Sequence, residues 1–204
     1  MYKVFVNQKE VILTTTPPLK ARVMPLKETS FPQITRILRT TKIKRLYLFH
    51  HDQDKLLSLF KKKLPVTIAA GGVVFNSDNK LLFIFRKKKW DLPKGRVESK
   101  ESLKKGGKRE VKEETGVKKL KVDKLAGITY HIFKRSNRYQ LKETHWFYMT
   151  TTYQGALIPE AKEDITKAVW KGRRKATKAL KKTYPNIAHL FEKTNVIKSI
   201  SEEE

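Results

Sequence analysis

The sequence predicts a protein of the α/β (α+β) class, with a small N-terminal domain in front of a larger one. Strand-like and helix-like patterns alternate from the first residues, and the series restarts with a new hairpin pattern after Pro65. The 204 residues are enough for two small cores. We therefore expect one domain of unknown role over residues 1–64 and a second domain over residues 65–204.

The first 64 residues contain the patterns of three strands and two helices. The segments MYKVFV and KEVILTT have the alternating, β-branched character of strands and flank an Asn-Gln-Lys turn. FPQITRILRT has the apolar spacing of an amphipathic helix, IKRLYLFH indicates a strand, and DQDKLLSLFKKKL indicates a second helix. The predicted order is strand, strand, helix, strand, helix.

The second domain begins with a hairpin pattern, VTIAAGGVVFN and KLLFIFRKK, around the turn Ser77-Asp78-Asn79. Two longer strand patterns, KVDKLAGITYHIFK and QLKETHWFYMTTTY, follow, and ITKAVWK indicates a short strand. GRRKATKALKK and NIAHLFEKT indicate closing helices, after which the SEEE tail is expected to fray. Strands and helices are therefore both predicted for this domain.

The composition excludes several classes of site. There is no cysteine, so disulfides, zinc–thiolate sites and thiol nucleophiles are absent, and a cytoplasmic location is expected. The N-terminus lacks a signal-peptide pattern, and no apolar run approaches the roughly 20 residues of a membrane span, so we expect no membrane partner. The formal net charge of +26 attracts polyanions, although lysine runs most often only keep a surface solvated.

Residues 95–117, GRVESKESLKKGGKREVKEETGV, place five glutamates in this basic chain. The pattern predicts a helix that ends at Gly116, because glycine accepts the positive φ of a helix C-terminus. Glu110, Glu113 and Glu114 then share one helix face, where like charges repel unless a cation lies between them. Oxygen ligands at this spacing suit Mg²⁺ or Mn²⁺. The alternative is a solvated acidic face balanced by neighbouring lysines.

Two glycines, Gly106 and Gly107, lie in the middle of this predicted helix. Each costs about 1 kcal/mol relative to alanine in a helix. We therefore expect the helix to approach a neighbouring strand closely at this point.

The same stretch resembles the Nudix box. Gly95 and Glu101 are followed at the defining spacings by Arg109-Glu110-Val111, Glu113-Glu114 and Gly116-Val117. The lead-in WDLPKG and a strand ending at Trp170 also resemble the family, over about residues 66 to 190. The resemblance implies a Nudix α/β/α sandwich with a mixed sheet. The glycine pair in the helix departs from the alanines usual in the family but removes no catalytic group.

The resemblance implies a hydrolase, namely a divalent-metal-dependent pyrophosphohydrolase that cleaves a phosphoanhydride in a nucleoside diphosphate-linked or polyphosphate small molecule. The basicity and the WDLPKGRVE segment favour dinucleoside polyphosphates or other compounds with several phosphates, among them the 5′ end of RNA. The alternative is a non-catalytic Nudix ligand sensor or nucleic-acid-binding module, against which the intact glutamates argue. Isopentenyl diphosphate isomerases share this fold but mainly use a cysteine, which this chain lacks. A homodimer is compatible with the family.

The resemblance also assigns expected roles to individual residues. Glu110, Glu113 and Glu114 are the expected metal ligands and catalytic carboxylates, and which glutamate is the general base stays open. Other expected contributors are the Lys94 carbonyl as a further metal ligand, Glu163 as a late catalytic carboxylate with Glu160 as second choice, Glu101 and Arg109 as a structural ion pair, Arg86 and Lys142 as phosphate ligands, Gly95 in the loop and Gly116 at the helix cap. For Arg86 and Lys142 the alternative is an ordinary surface charge.

Overall fold

The computed structural model describes residues 1–201, so most of the acidic tail lies outside the described residues. The chain divides into two compact units. The first unit consists of Met1–Thr67 together with Tyr130–Glu143, and the second consists of Ile68–Thr129 and the chain from Thr144 onward. The predicted domain boundary at residue 65 stays a prediction. That prediction did not include Tyr130–Glu143 in the first unit.

The first unit contains a sheet of short strands with two helices. Its first strand pairs antiparallel with the second, the second pairs parallel with the fourth, and the fourth pairs parallel with the third. The three strands and two helices predicted for residues 1–64 are present, and the third strand is an addition. These elements are β1 (Tyr2–Val6), β2 (Lys9–Thr14), β3 (Val23–Pro25), α1 (Phe31–Thr40), β4 (Arg45–Phe49) and α2 (Lys55–Lys61).

The segment Tyr130–Glu143 completes this sheet. It is the distal part of a hairpin formed by β9 (Lys121–Arg135) and β10 (Arg138–Thr150). β1 pairs parallel with β9, with Val4 opposite Tyr130. The Leu141 N–H donates to the Pro65 carbonyl at 2.9 Å. Two distant parts of the sequence therefore share one sheet, which local sequence patterns do not indicate.

The second unit contains a sheet with the spatial order β11 (Ile165–Lys171), β6 (Leu81–Arg86), β5 (Val66–Phe75), β10, β9. Two short strands extend it, β7 (Lys89–Asp91) beside β6 and β8 (Lys94–Arg96) beside β5. No helix within residues 1–201 is long and apolar enough to cross a membrane. The helices that complete the fold are α3 (Leu103–Thr115), α4 (Arg173–Leu180) and α5 (Pro185–Thr194), with 3₁₀ turns at Ala161–Glu163 and Val196–Ser199.

Helices cover both faces of this sheet, because successive strand residues point to opposite sides. Phe83 of β6 packs in a buried cluster with residues of α4 and α5, such as Ile187. Its neighbour Leu82 packs in a second cluster with Val111 of α3. The predicted α/β/α arrangement with a mixed sheet is confirmed.

The close approach of α3 to a strand occurs at Gly107. A Cβ atom added there would lie 3.4 Å from Ala70 Cβ and 3.4 Å from the Gly71 nitrogen of β5. These are ordinary contact distances, so the approach is real but does not require glycine. The expected close approach to a strand is therefore present, and an alanine at position 107 is compatible with it.

Replacing Gly107 with alanine is expected to raise the free energy of unfolding by about 0.5–1 kcal/mol, because alanine has the higher helix propensity and the added methyl fits. Urea denaturation of the two proteins measures this difference. Gly106→Ala is the comparison, since a Cβ there would lie 2.9 Å from Glu101 Oε1 and the gain should be smaller. A loss of stability in Gly107→Ala would contradict the description of this contact.

Candidate active site

Helix α3 carries the three glutamates predicted to share one face. Its N-cap is Ser102, whose side chain accepts a hydrogen bond from the Lys105 N–H. The helix ends at Gly116, which has a φ of 70° and donates its N–H to the Lys112 carbonyl. Val111 is fully buried and fixes the opposite face of the helix against the sheet. Both helix ends are therefore set by local sequence. The packing of Val111 against the sheet determines which way the glutamates face.

Arg109 connects the carboxylates of this region. Its guanidinium nitrogens lie 2.7 Å from Glu101 Oε1, 2.9 Å from Glu110 Oε1 and 2.8 Å from Glu113 Oε2. One of them also donates to the Arg96 carbonyl at 3.0 Å. The hydrogen bond from Arg109 lowers the pKa of Glu101, and the surrounding carboxylates raise the pKa of Arg109. The guanidinium contacts two more carboxylates than the sequence had suggested.

Glu114 is the most buried of the three glutamates, with only 3% of its side chain exposed. Its Oε2 accepts the Lys94 N–H at 2.9 Å, and its Oε1 lies 3.6 Å from Arg86 Nη1. Burial raises the pKa of Glu114 from its ordinary value of 4.5 to about 7. Burial also raises the pKa of Glu110. Both carboxylates therefore lack part of the stabilisation that their charged forms would have in water.

Strand β8 brings the main chain beside these carboxylates. It pairs antiparallel with β5, where Pro93 O accepts from Gly72 N–H and Val97 N–H donates to Ile68 O. Main-chain groups of alternate residues point toward and away from the partner strand. The Lys94 carbonyl therefore points away from β5, on the same side as its N–H, which bonds to Glu114.

Gly95 allows Glu110 to lie directly against this strand. A Cβ atom added at Gly95 would be 1.9 Å from Glu110 Oε2 and 2.2 Å from Glu110 Cδ. No side chain fits in that space while Glu110 keeps its position. Gly95, the glycine expected in the loop, therefore leaves free the space that the Glu110 carboxylate occupies.

Two residues predicted from outside the helix also lie near it. Arg86, at the end of β6, has its Nη2 3.9 Å from Glu163 Oε2 in addition to its contact with Glu114. Glu163 contributes to the raised pKa of Glu110, although after burial and other nearby charges. Glu160, the second choice, instead accepts the Lys162 N–H at 3.0 Å. Lys142 lies in the first unit, with its Nζ 4.9 Å from the centroid of the Phe133 ring.

A model of the Nudix domain matches residues 65–193 of this sequence. The chain belongs to the Nudix family. It is accordingly a hydrolase that acts on phosphoanhydrides, in a family that generally needs divalent metal ions. The family prediction made from residues 95–117 is confirmed.

Solved structures with a similar fold are also known. The MutT protein from Methanosarcina mazei Go1 is 23% identical, with 65% of this chain and 95% of that chain covered and a TM-score of 0.51. A C. elegans Ap4A hydrolase in a binary complex is 16% identical over 65% and 93% of the two chains, with a TM-score of 0.48. A NUDIX hydrolase from Nitrosomonas europaea is 20% identical over 67% and 92%, with a TM-score of 0.49. The similarity to the Methanosarcina mazei protein supports the Nudix fold.

The chemistry of this Nudix donor set fits a divalent cation. Its side-chain donors are carboxylate oxygens, which Mg²⁺ and Mn²⁺ prefer, and a cation would favour the charged forms of Glu110 and Glu114. Within residues 1–201, however, no three acidic or histidine side chains are already arranged as a metal site. Arg109 bridges Glu110 and Glu113 instead. The bridge uses one oxygen of each carboxylate, Glu110 Oε1 and Glu113 Oε2. A cation at this site would therefore contact the remaining oxygens or replace the guanidinium.

The sequence did not single out Asp91, a buried residue of the Nudix lead-in segment WDLPK. Its Oδ2 lies 2.6 Å from Lys94 Nζ, and its Oδ1 accepts the Leu92 N–H at 2.8 Å. The pair links the end of β7 to the start of β8, where Lys94 and Gly95 contact the glutamates. An acid three residues before a lysine in the lead-in segment WDLPK was the available signal.

The raised pKa of Glu114 makes the stability of the metal-free Nudix protein depend on pH. In EDTA the folded state binds this proton more tightly than the unfolded chain, so the added stability is present below about pH 4.5 and is lost as pH rises through about 7. We expect the free energy of unfolding to fall by roughly 2 kcal/mol between pH 5 and pH 8 from this group.

Urea denaturation in EDTA at the two pH values tests this expectation against Glu114→Gln, which has no such proton. The variant should lose clearly less stability over the same range. Equal pH dependence in the two proteins would show that Glu114 is ionised normally in the folded state.

Proposed function

We propose that this protein is a divalent-metal-dependent pyrophosphohydrolase for a substrate with several phosphates, such as a dinucleoside polyphosphate. The observation that carries the proposal is the set of three glutamates on one face of α3, beside the main chain of β8. We assign Glu110, Glu113, Glu114 and the Lys94 carbonyl as the metal ligands.

The proposed reaction needs neutralised phosphates, a positioned water and a stabilised leaving group. A bound Mg²⁺ or Mn²⁺ supplies positive charge to adjacent phosphate oxygens and lowers the pKa of a bound water. Arg86 supplies a further positive charge, because it already lies beside Glu114 and Glu163. Glu110 and Glu163 are the two candidates for the general base that takes the proton from water.

The other proposed roles follow from the contacts. Glu101 anchors Arg109, and Arg109 fixes the positions of Glu110 and Glu113 from one side. Lysines 87 to 89 follow Arg86 directly, and two of the three are exposed. Lys87 Nζ lies 3.7 Å from Asp164 Oδ2, and Lys89 Nζ lies 5.0 Å from the centroid of the Tyr184 ring. Arg86 is thus the cation that lies beside the site carboxylates, and positive charge on it and on the lysines that follow favours a substrate with several phosphates.

Phosphate release from a panel of substrates tests the proposal. The panel contains nucleoside triphosphates, nucleotide sugars, dinucleoside polyphosphates, inositol pyrophosphates and RNA with a 5′ triphosphate, each with Mg²⁺, with Mn²⁺ and with EDTA. We expect turnover of the dinucleoside polyphosphates that requires the cation and falls at least about 100-fold in Glu113→Gln. Turnover in EDTA, or equal turnover by the variant, would reject the metal-site assignment.

Binding without turnover is the outcome that favours the other candidate function, a ligand sensor. In that case a panel compound binds in a cation-dependent manner, and neither the parent protein nor Glu113→Gln releases phosphate. Preferred turnover of RNA would instead change the substrate class and leave the reaction type intact. Cytoplasmic location, a homodimer and a phosphate-binding role for Lys142 stay predictions.

A further inference from the structure

The first unit contains a cavity of about 470 Å³ that has no part in the proposed reaction. It lies between the β1–β2 turn, the end of α1 and the distal part of the β9–β10 hairpin. We call it the α1–hairpin cavity and define it by Gln8, Lys9, Arg39, Phe133, Lys134 and Tyr139. The volume is within the range of about 300–1,000 Å³ typical of small-molecule sites.

The charge of the α1–hairpin cavity is entirely positive. Three of its lining residues are basic and none is acidic. The unit around it has 18 lysine and arginine residues against five aspartate and glutamate residues, a formal charge of +13. Within residues 1–201, no carboxylate lies at ion-pair distance from Arg39 or Lys134. Lys134 instead contacts the Tyr139 ring, with its Nζ 4.9 Å from the ring centroid. The positive charges of Arg39 and Lys134 are therefore not cancelled by a carboxylate.

The nearby end of α1 does not cancel this positive charge. A helix C-terminus carries partial negative charge on its last carbonyls, which would repel an anion. Lys9 offsets this effect, because its Nζ donates to the Leu38 carbonyl and, at 2.7 Å, to the Thr41 carbonyl. Lys9 thus neutralises the helix end and leaves Arg39 and Lys134 as the anion-binding groups.

Two aromatic rings form one wall of the cavity. Tyr139 packs edge-on against Phe31 of α1, with ring centroids 5.2 Å apart, so the position of its ring is fixed. Phe133 lines the same cavity and is only partly buried. A lysine lies over each ring, with Lys134 Nζ 4.9 Å from the Tyr139 centroid and Lys142 Nζ 4.9 Å from the Phe133 centroid. A planar base attached to phosphate would take the place of these ammonium groups on the rings, because every base stacks on aromatic groups regardless of its identity.

We propose that the α1–hairpin cavity binds a nucleoside phosphate, with the base against Phe133 and Tyr139 and the phosphate between Arg39 and Lys134. Inorganic phosphate would leave the aromatic wall uncovered, and an apolar ligand would bury two cations without a counter-charge. The inference does not depend on the proposed function, because none of the residues involved belongs to the carboxylate site.

Isothermal titration calorimetry of the full chain with ADP in EDTA tests the proposal. The glutamates of α3 are not loaded with metal under these conditions, and Glu113→Gln should bind ADP as the parent does. We expect Arg39→Gln/Lys134→Gln to weaken ADP binding at least 10-fold. The matched control is Arg36→Gln/Arg135→Gln, which removes the same charge from the same helix and hairpin but outside the cavity, and it should weaken binding less than threefold.

The aromatic wall has its own test. Phe133→Leu should weaken ADP binding by about 3- to 10-fold and leave binding of inorganic pyrophosphate unchanged. Comparing ADP with a five-nucleotide oligoadenylate separates the two sources of the ligand: equal affinity points to a free nucleotide, and tighter binding of the oligomer points to a nucleic-acid strand. Both results support a nucleoside phosphate site.

Three results would overturn the proposal. The first is absence of ADP binding in EDTA by a parent protein that circular dichroism shows to be folded. The second is equal weakening by the two double variants, which would mean that the overall charge attracts the ligand. The third is pyrophosphate binding as tight as ADP binding, which would leave the aromatic rings without a role.

Discussion

Replacing Gly95 with alanine is expected to lower kcat for phosphoanhydride hydrolysis by about 100-fold in a protein that still folds. The added methyl would occupy the position of the Glu110 carboxylate, whose Oε2 lies 1.9 Å from the Cβ site. Gly95 does not have a positive φ, so the main chain accepts alanine and the side chain of Glu110 must move instead. A displacement of about 1 Å in a catalytic group can cost about 100-fold in rate.

A double-mutant cycle separates this steric effect from a general loss of structure. The unfolding free energy lost in Gly95→Ala should be smaller in a Glu110→Ala background, because the carboxylate that collides with the methyl is gone. Gly107→Ala, whose methyl makes ordinary contacts, should keep the parent kcat. An unchanged kcat in Gly95→Ala would mean that Glu110 functions from another position.

Replacing Arg109 with glutamine is expected to lower the free energy of unfolding by about 2–3 kcal/mol and to reduce kcat at least 10-fold. Only 26% of the Arg109 side chain is exposed, and its guanidinium contacts three carboxylates. Removing one partner of a buried ion pair costs about 3–5 kcal/mol, and partial exposure reduces that figure. The carboxylates left behind would also repel one another.

Urea denaturation and initial rates measure the two effects of Arg109→Gln. Arg109→Lys should recover only part of each, because an ammonium group cannot reach three carboxylates with the planar fork of a guanidinium. Arg138→Gln, at an exposed position, should change stability by less than about 0.5 kcal/mol. A lysine variant as stable as the parent would show that charge alone, and not the geometry of the fork, holds this region together.

The sequence predicts the parts of this fold that are determined locally. α3 ends at Gly116 because only a residue that tolerates positive φ fits there, and that signal is readable from one residue. The spacing of Glu110, Glu113 and Glu114 likewise fixes a shared helix face without any tertiary information. Local capping and periodicity therefore account for the helix and for the three glutamates.

The sequence does not reveal contacts that depend on distant segments. The hydrogen bond between Lys94 N–H and Glu114 exists because β8 pairs with β5 along one edge. The opposite edge of β8, which carries the Lys94 N–H, then lies beside α3. The bridging of two further carboxylates by Arg109 depends on the same placement. β3 has only three residues, too few to show an alternating pattern. Such features arise from tertiary packing, which composition and spacing do not encode directly.

The shared sheet of the first unit has a consequence for how the protein is made. β1 pairs with Tyr130–Ile132 of β9, which lie more than 120 residues later in the chain. During synthesis the N-terminal strands leave the ribosome well before that partner, so one edge of β1 stays without its neighbour while residues 65–129 are translated. An unpaired strand edge is a site for pairing with other chains. A fragment that stops near residue 64 would keep this edge permanently and should aggregate where the complete chain does not.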